Sequence, residues 1–233
     1  MTKTAAFKKA IQAINERGVL LVFPVNNAPE PASIWSAFYP RTKMKWEWSD
    51  DGDDRVARMW GLMKTLSDCK DVVYSKWYRG RATFFSRELF TALLASKSSL
   101  LSRGSESARK RVLSPTALEI LEALETSSPL STKELKKATG LQGKIFEPQY
   151  HRAMKELFEN FLIVGFGEVD DGAFPSLAVG ATELLYEDLC RDARALEPQD
   201  WQAVISRHMP AGSKWSRFLT ANARSHGVSP TRS

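Results

Sequence analysis

Apolar positions recur along this chain at two spacings, three to four residues and two, and the alternation between them predicts most of its elements. Phe7, Ile11 and Ile14 repeat at helical spacing over residues 4–17, and Gly18 is a natural stop. Val19 to Phe23 is a short apolar run, read as a buried strand or a buried extended loop. Asn26 to Pro31 carries turn residues, and Pro31 opens a short helix through Trp35 and Tyr39 that Pro40 ends. Residues 41–48 alternate cations (Arg41, Lys43, Lys45) with Trp46 and Trp48, as a half-buried strand does. An acidic turn at 50–54 suits a helix start, and Val56, Met59, Trp60 and Met63 give a helix over 55–66.

Residues 72–85 are rich in β-branched and aromatic side chains, and Gly80 between Arg79 and Arg81 marks a bend or hairpin. Ser86 caps a helix over 87–94. Residues 96–111 hold much Ser, Lys and Arg and read as a basic linker. Beyond it the pattern sharpens. Ser114-Pro115 opens one helix, Ser131 with Glu134 forms a capping box for a second, and Tyr150, Met154, Leu157, Phe158 and Phe161 stripe a third over 148–161. Residues 141–146 join the last two as a turn. The period then changes to two: 162–169 and 173–179 read as strands around the hairpin signal Asp170-Asp171-Gly172, with Pro175 placing the second at an edge.

Three short helices followed by a β-hairpin is the winged helix-turn-helix plan. The expected fold is α+β and mainly helical, with winged helix-turn-helix modules packed together. Its expected parts are an α/β winged-helix-like domain over 1–95 with the basic-aromatic strand, a linker over 96–112 and a winged-helix domain over 113–190. C-terminal helices over 191–223 and a disordered tail over 224–233 complete it. No internal repeat stands out in the sequence.

Charge changes the picture because it is uneven. The formal net charge of +6 divides into +2 over residues 1–68, +7 over 69–113, −7 over 114–190 and +4 over 191–233. A basic middle favours a polyanion. The acidic winged helix, whose hairpin carries Asp170 and Asp171, suits a protein partner instead. Cys69 and Cys190 stand far apart, and the three histidines have no metal-ligand spacing, so neither disulfide, metal nor cofactor is expected. The N-terminus lacks a signal-peptide pattern, and the longest apolar run, near 18–25, falls short of the roughly 20 residues of a membrane span. These features give a cytoplasmic expectation with no membrane partner.

DNA is the expected partner. Lys76, Arg79 and Arg81 are candidate phosphate contacts, and Trp77 is a candidate for stacking on an unpaired base, set against a core role. On the third helix Gln149, His151, Arg152 and Lys155 are candidates for reading or positioning, and Lys136 on the second helix for a phosphate.

Two longer runs, Lys76-Trp77-Tyr78-Arg79-Gly80-Arg81-Ala82-Thr83-Phe84-Phe85-Ser86 and Val169-Asp170-Asp171-Gly172-Ala173-Phe174-Pro175-Ser176-Leu177, resemble the AlkZ-related proteins. These are divergent members of the YcaQ/AlkZ group of bacterial winged-helix DNA glycosylases, which act on alkylation and crosslink lesions. The resemblance runs from about Gly18 to Leu189 and implies DNA binding and a role in repair. In that group a Gln-x-Gln or Gln-x-Asp motif precedes a Val-Asn-like pair. Anchored on Val25-Asn26, the two catalytic positions fall on Leu21 and Phe23, and neither side chain can orient a water. Glu30 and Asn26 are the nearby candidates to replace them, with plain turn structure as the alternative for Asn26.

Overall fold

In a computed structural model, which describes residues 3–46, 53–98, 106–169 and 176–225, the chain is α+β and built on one six-stranded antiparallel sheet. Helix α1 (Lys3–Arg17) buries Ala10 and Ile14 and stops at Gly18, whose φ of +76° is the left-handed conformation glycine favours. Strand β1 (Val19–Leu21) is buried along its length. Helix α2 (Ile34–Phe38) is capped by the Ser33 hydroxyl, which accepts from the Ser36 amide. Helix α3 (Arg55–Ser67) buries Val56, Met59, Met63 and Leu66, while Trp60 of the same stripe is 42% exposed. Strands β2 (Val72–Ser75) and β3 (Thr83–Ser86) form the hairpin that Gly80 marked; Arg79 and Gly80 both take positive φ at its turn.

Ser86 ends β3 and caps α4 (Arg87–Ala95) in one residue. Part of the expected linker is ordered: Glu106–Val112 is a helix, α5, and its Arg109 is buried against Glu125 at 2.8 Å. A buried guanidinium with a carboxylate partner anchors this segment, which composition alone made look like solvated loop. Residues 99–105 lie outside the described chain.

The second half repeats the order of the first. Helix α6 (Pro115–Thr126), strand β4 (Leu130–Ser131), helix α7 (Thr132–Ala138), a 3-10 turn (Lys144–Phe146) and helix α8 (Glu147–Glu159) lead to strands β5 (Ile163–Val169) and β6 (Ser176–Ala181). The capping box on α7 is complete, with Ser131 and Glu134 each bonding the other's amide. The tip of the β5–β6 hairpin, 170–175, lies outside the described residues. Strand β6 is not an edge, because it pairs with β5 on one side and β4 on the other; Pro175 precedes Ser176, so the paired residues keep their donors. Short helix α9 (Thr182–Leu185) and helices α10 (Glu187–Ala195), α11 (Pro198–His208) and α12 (Lys214–Ser225) close the described chain.

The strand order is β1-β3-β2-β5-β6-β4. Each half contributes three strands in the order first, third, second, and the two second strands meet at the centre through Tyr74 opposite Gly165. The sheet therefore runs across the boundary expected at 96–112. A Cβ on Gly165 would stand 2.4 Å from the Tyr74 ring, so a residue without a side chain is what lets the halves meet there. One core cluster also crosses the seam. The Trp77 ring packs on Phe85 from the first half, Phe161 from the second, and Trp215 and Phe218 from α12. A second cluster lies under α1 and α3 around Ile14, Leu20, Trp35, Met59 and Phe84.

Candidate nucleic-acid interface

The loop after β1 and the segment after α2 enclose a cleft of about 480 Å³. Its walls include Pro29, Trp35, Tyr39 and Pro40, and its cations are Arg17, Arg41 and Lys43, all exposed. Residues 42–46 are not a strand. They are held by side chains that imitate one: the Asn27 amide donates to the Met44 carbonyl at 3.0 Å and accepts from its amide at 2.6 Å, and the Trp35 indole donates to the Thr42 carbonyl at 3.0 Å. Asn26 and Asn27 both take left-handed φ, of 52° and 54°, which asparagine tolerates better than most residues. Asn27 is thus a clip, and Asn26 is exposed beside it. Trp46 is 58% exposed with its ring 4.9 Å from that of Phe23; Trp48 lies outside the described residues.

Leu21 is fully buried in β1, and Phe23 is half-buried against Trp35 and Trp46. Glu30 is exposed at the cleft. One of its carboxylate oxygens accepts from the Ala32 amide at 3.1 Å, and its carbonyl accepts from Lys214 at 2.7 Å. It is the only carboxylate among the described residues lining this cleft.

The basic-aromatic run divides by burial. Trp77 is completely buried among five aromatic rings and is no stacking platform; hydrophobic packing holds it where a base cannot reach. Lys76 is half-buried, and burial holds its ammonium below the ordinary lysine range despite the opposing pull of the Glu168 carboxylate. Arg79 and Arg81 alone of the run's candidates are exposed, at the β2–β3 turn.

On the second half the structure brings Gln149, Arg152 and Lys155 together along a cleft of about 520 Å³ with Ser114, Thr116 and Glu156. Two of the three have intramolecular partners: Gln149 donates to the Thr116 hydroxyl at 2.6 Å, and Lys155 pairs with Glu159 at 3.1 Å. Exposed His151 and half-buried Lys136 converge on Glu147, at 3.2 and 2.5 Å, and the Lys136 hydrogen bond holds that carboxyl below its usual range. The arginines of the β2–β3 turn do not line this cleft.

Sequence reasoning missed two features. Arg17, Arg41 and Lys43 become neighbours only when α1 and the loops after β1 and α2 converge. Ile145 and Phe146 stand 83% and 38% exposed in the 3-10 turn before α8, a run that pattern alone made a plain connection. Two large apolar residues beside Gly143 and Lys144 in a turn were the available signal.

Among the described residues no three His, Cys, Asp or Glu side chains converge as metal ligands, and no helix is long and apolar enough to cross a membrane. The sequence model of the AlkZ-related family matches residues 4–215. No curated protein and no solved structure matches the chain.

Proposed function

Because this chain belongs to the AlkZ-related family, we propose that it is a DNA-binding protein of the glycosylase-like winged-helix type, acting in recognition of damaged duplex. The observation that carries the reading is the tandem architecture. Each half runs helix, strand, helix, helix, strand, strand, with the sheet order first, third, second. That order supports a winged helix in each half, and under this reading α8 is the helix that enters a groove. Exposed Arg79 and Arg81 supply phosphate contacts from the first half, and Arg152 from the second.

Base excision needs a group that can activate water or stabilise a cationic sugar. Leu21 and Phe23, on the positions that the resemblance marks as catalytic, offer neither. Binding without the family's own chemistry is the reading these residues support. A second reading rests on Glu30, a carboxylate in a cleft otherwise edged by cations. An exposed carboxylate there can serve as a base for water. Under that reading Glu30→Gln abolishes release of an alkylated base and leaves folding and binding intact; unchanged release eliminates Glu30.

The test of DNA binding uses a fluorescent duplex, intact and abasic, at two salt concentrations. Affinity is expected to fall with salt as counterions are released, and the Arg79→Ala/Arg81→Ala pair to lower the log–log salt slope by about two. Absence of binding at low salt overturns the proposal and leaves the acidic second half as a docking module for a basic protein.

A further inference from the structure

We propose that the Ile145–Phe146 tip is an apolar wedge that fills the gap at an interrupted base step of duplex DNA; the proposal rests on the DNA-binding reading above. Ile145 and Phe146 are two of the five large apolar side chains most exposed among the described residues, and they are consecutive. They are held firmly. Leu141, buried at the base of the turn, donates its amide to the Lys136 carbonyl at 2.9 Å, and the Phe146 amide donates to the Gly143 carbonyl at 3.1 Å. Gly143, at a φ of 97°, makes the reversal that turns the pair outward, and α8 begins immediately after them. An ordered turn that leaves most of Ile145 and part of Phe146 in water keeps apolar surface hydrated, and covering that surface from outside the chain is favourable.

Charge selects the occupant. The segment 114–190 is acidic as a whole, yet all six of its lysines and arginines fall within 131–155, together with only two of its thirteen acids. Those two acids are engaged: Glu134 in the capping box, Glu147 with Lys136 and His151. Lys137, Lys144 and Arg152 are left exposed in the same stretch, Lys144 directly before the tip. An apolar tip carried on a basic stretch fits a polyanion whose interior is apolar, which describes a stacked duplex better than a protein surface. Isoleucine and phenylalanine offer no hydrogen bonds to base edges, so they read no sequence. Apolar side chains of this kind insert between base steps, and insertion is easiest where a base is missing or mispaired, because less stacking is lost.

The experiment compares affinity for an abasic duplex and an intact duplex of the same sequence, using wild type, Ile145→Ser and Ile145→Ser/Phe146→Ser. Both side chains are exposed, so the variants keep the fold, as an unchanged melting temperature verifies. Wild type is expected to prefer the abasic duplex by about tenfold, the scale of burying part of one large apolar side chain. The double variant is expected to bind the intact duplex as wild type does and to lose the preference, and Ile145→Ser to lose part of it. Equal wild-type affinity for the two duplexes, or a preference that survives in the double variant, overturns the wedge while leaving DNA binding in place. A double variant that loses affinity equally for both duplexes also overturns it, since the tip is then a general contact. No binding of either duplex by wild type overturns both the wedge and the reading beneath it.

Discussion

In the first half of the molecule, residues 22–33 separate β1 from α2 and residues 39–54 separate α2 from α3; in the second, β4 runs straight into α7 through Ser131. The strand order and helix order are otherwise the same in both. The longer connections of the first half wall a cleft holding Glu30, Arg17, Arg41 and Lys43. The shorter ones of the second half join α7, its turn and α8 closely, with lysines and two apolar side chains exposed along them. One plan, with loops lengthened or trimmed, thus yields a cleft walled by loops in the first half and, in the second, a cleft along α8 beside a turn that exposes two apolar side chains.

The halves share one sheet and one core cluster, so they should unfold as one cooperative body, and the seam is where that body is weakened most. Trp77→Ala removes the ring that touches both halves and α12, with an expected loss of about 3–5 kcal/mol, measured by urea unfolding. The transition should stay single; two transitions would show that the halves fold separately. Gly165→Ala forces a Cβ against the buried Tyr74 ring at the central strand pair, and a loss of about 1–3 kcal/mol is expected in the same assay. A neutral outcome would mean that the sheet is not continuous there.

Equivalent caps sharpen the comparison at smaller scale. The Ser33 hydroxyl caps α2 by accepting from a single backbone amide, that of Ser36, whereas Ser131 opens α7 within a reciprocal box. Ser131→Ala is therefore expected to cost about 1–2 kcal/mol and Ser33→Ala about 0.5–1 kcal/mol in thermal unfolding. The reverse order would remove the distinction drawn between them.

The smallest effect is electrostatic. The Glu147 carboxyl is held below its ordinary value of about 4.3, chiefly by the Lys136 hydrogen bond. A lowered folded-state value means that the stabilisation is present above the unfolded value and is lost as pH falls through the folded one. Melting temperatures of wild type and Glu147→Gln should therefore converge as pH falls below the ordinary carboxylate range, and the difference should be slight because solvent reaches the pair and screens it. A difference that grows with acid would reverse the sign of this interaction.

Local pattern carried much of the fold. The spacing of Tyr150, Met154, Leu157 and Phe158 placed α8, Ser131 with Glu134 placed the start of α7, and Gly80 placed the β2–β3 turn. These elements are decided by neighbours three or four residues away, through capping, periodic burial and permitted φ. Arg109 looked like linker, and residues 41–48, described as far as 46, looked like strand, for the opposite reason. A buried partner at Glu125 orders the first, and the Asn27 amide takes the place of a sheet neighbour for the second.

The candidate site divides along the same line. The residue types at Arg79, Arg81, Arg152 and Glu30 are legible in the chain, and so are the Leu and Phe at positions 21 and 23. Burial is not: Trp77 and Arg79 stand two residues apart in one basic run, yet one lies in the core and the other in solvent. The sequence by itself determined most of the helices, the Ser86 and Ser131 caps, the β2–β3 turn and the two runs that resemble the AlkZ-related proteins. Only the tertiary structure decided that the halves share a sheet, that the cleft gathers Arg17 with Arg41 and Lys43, and that Ile145 stands outside. The first two depend on contact between distant segments, which leaves no period in the chain for a reader to find; the third rests on how buried Leu141 and the Gly143 turn seat the pair.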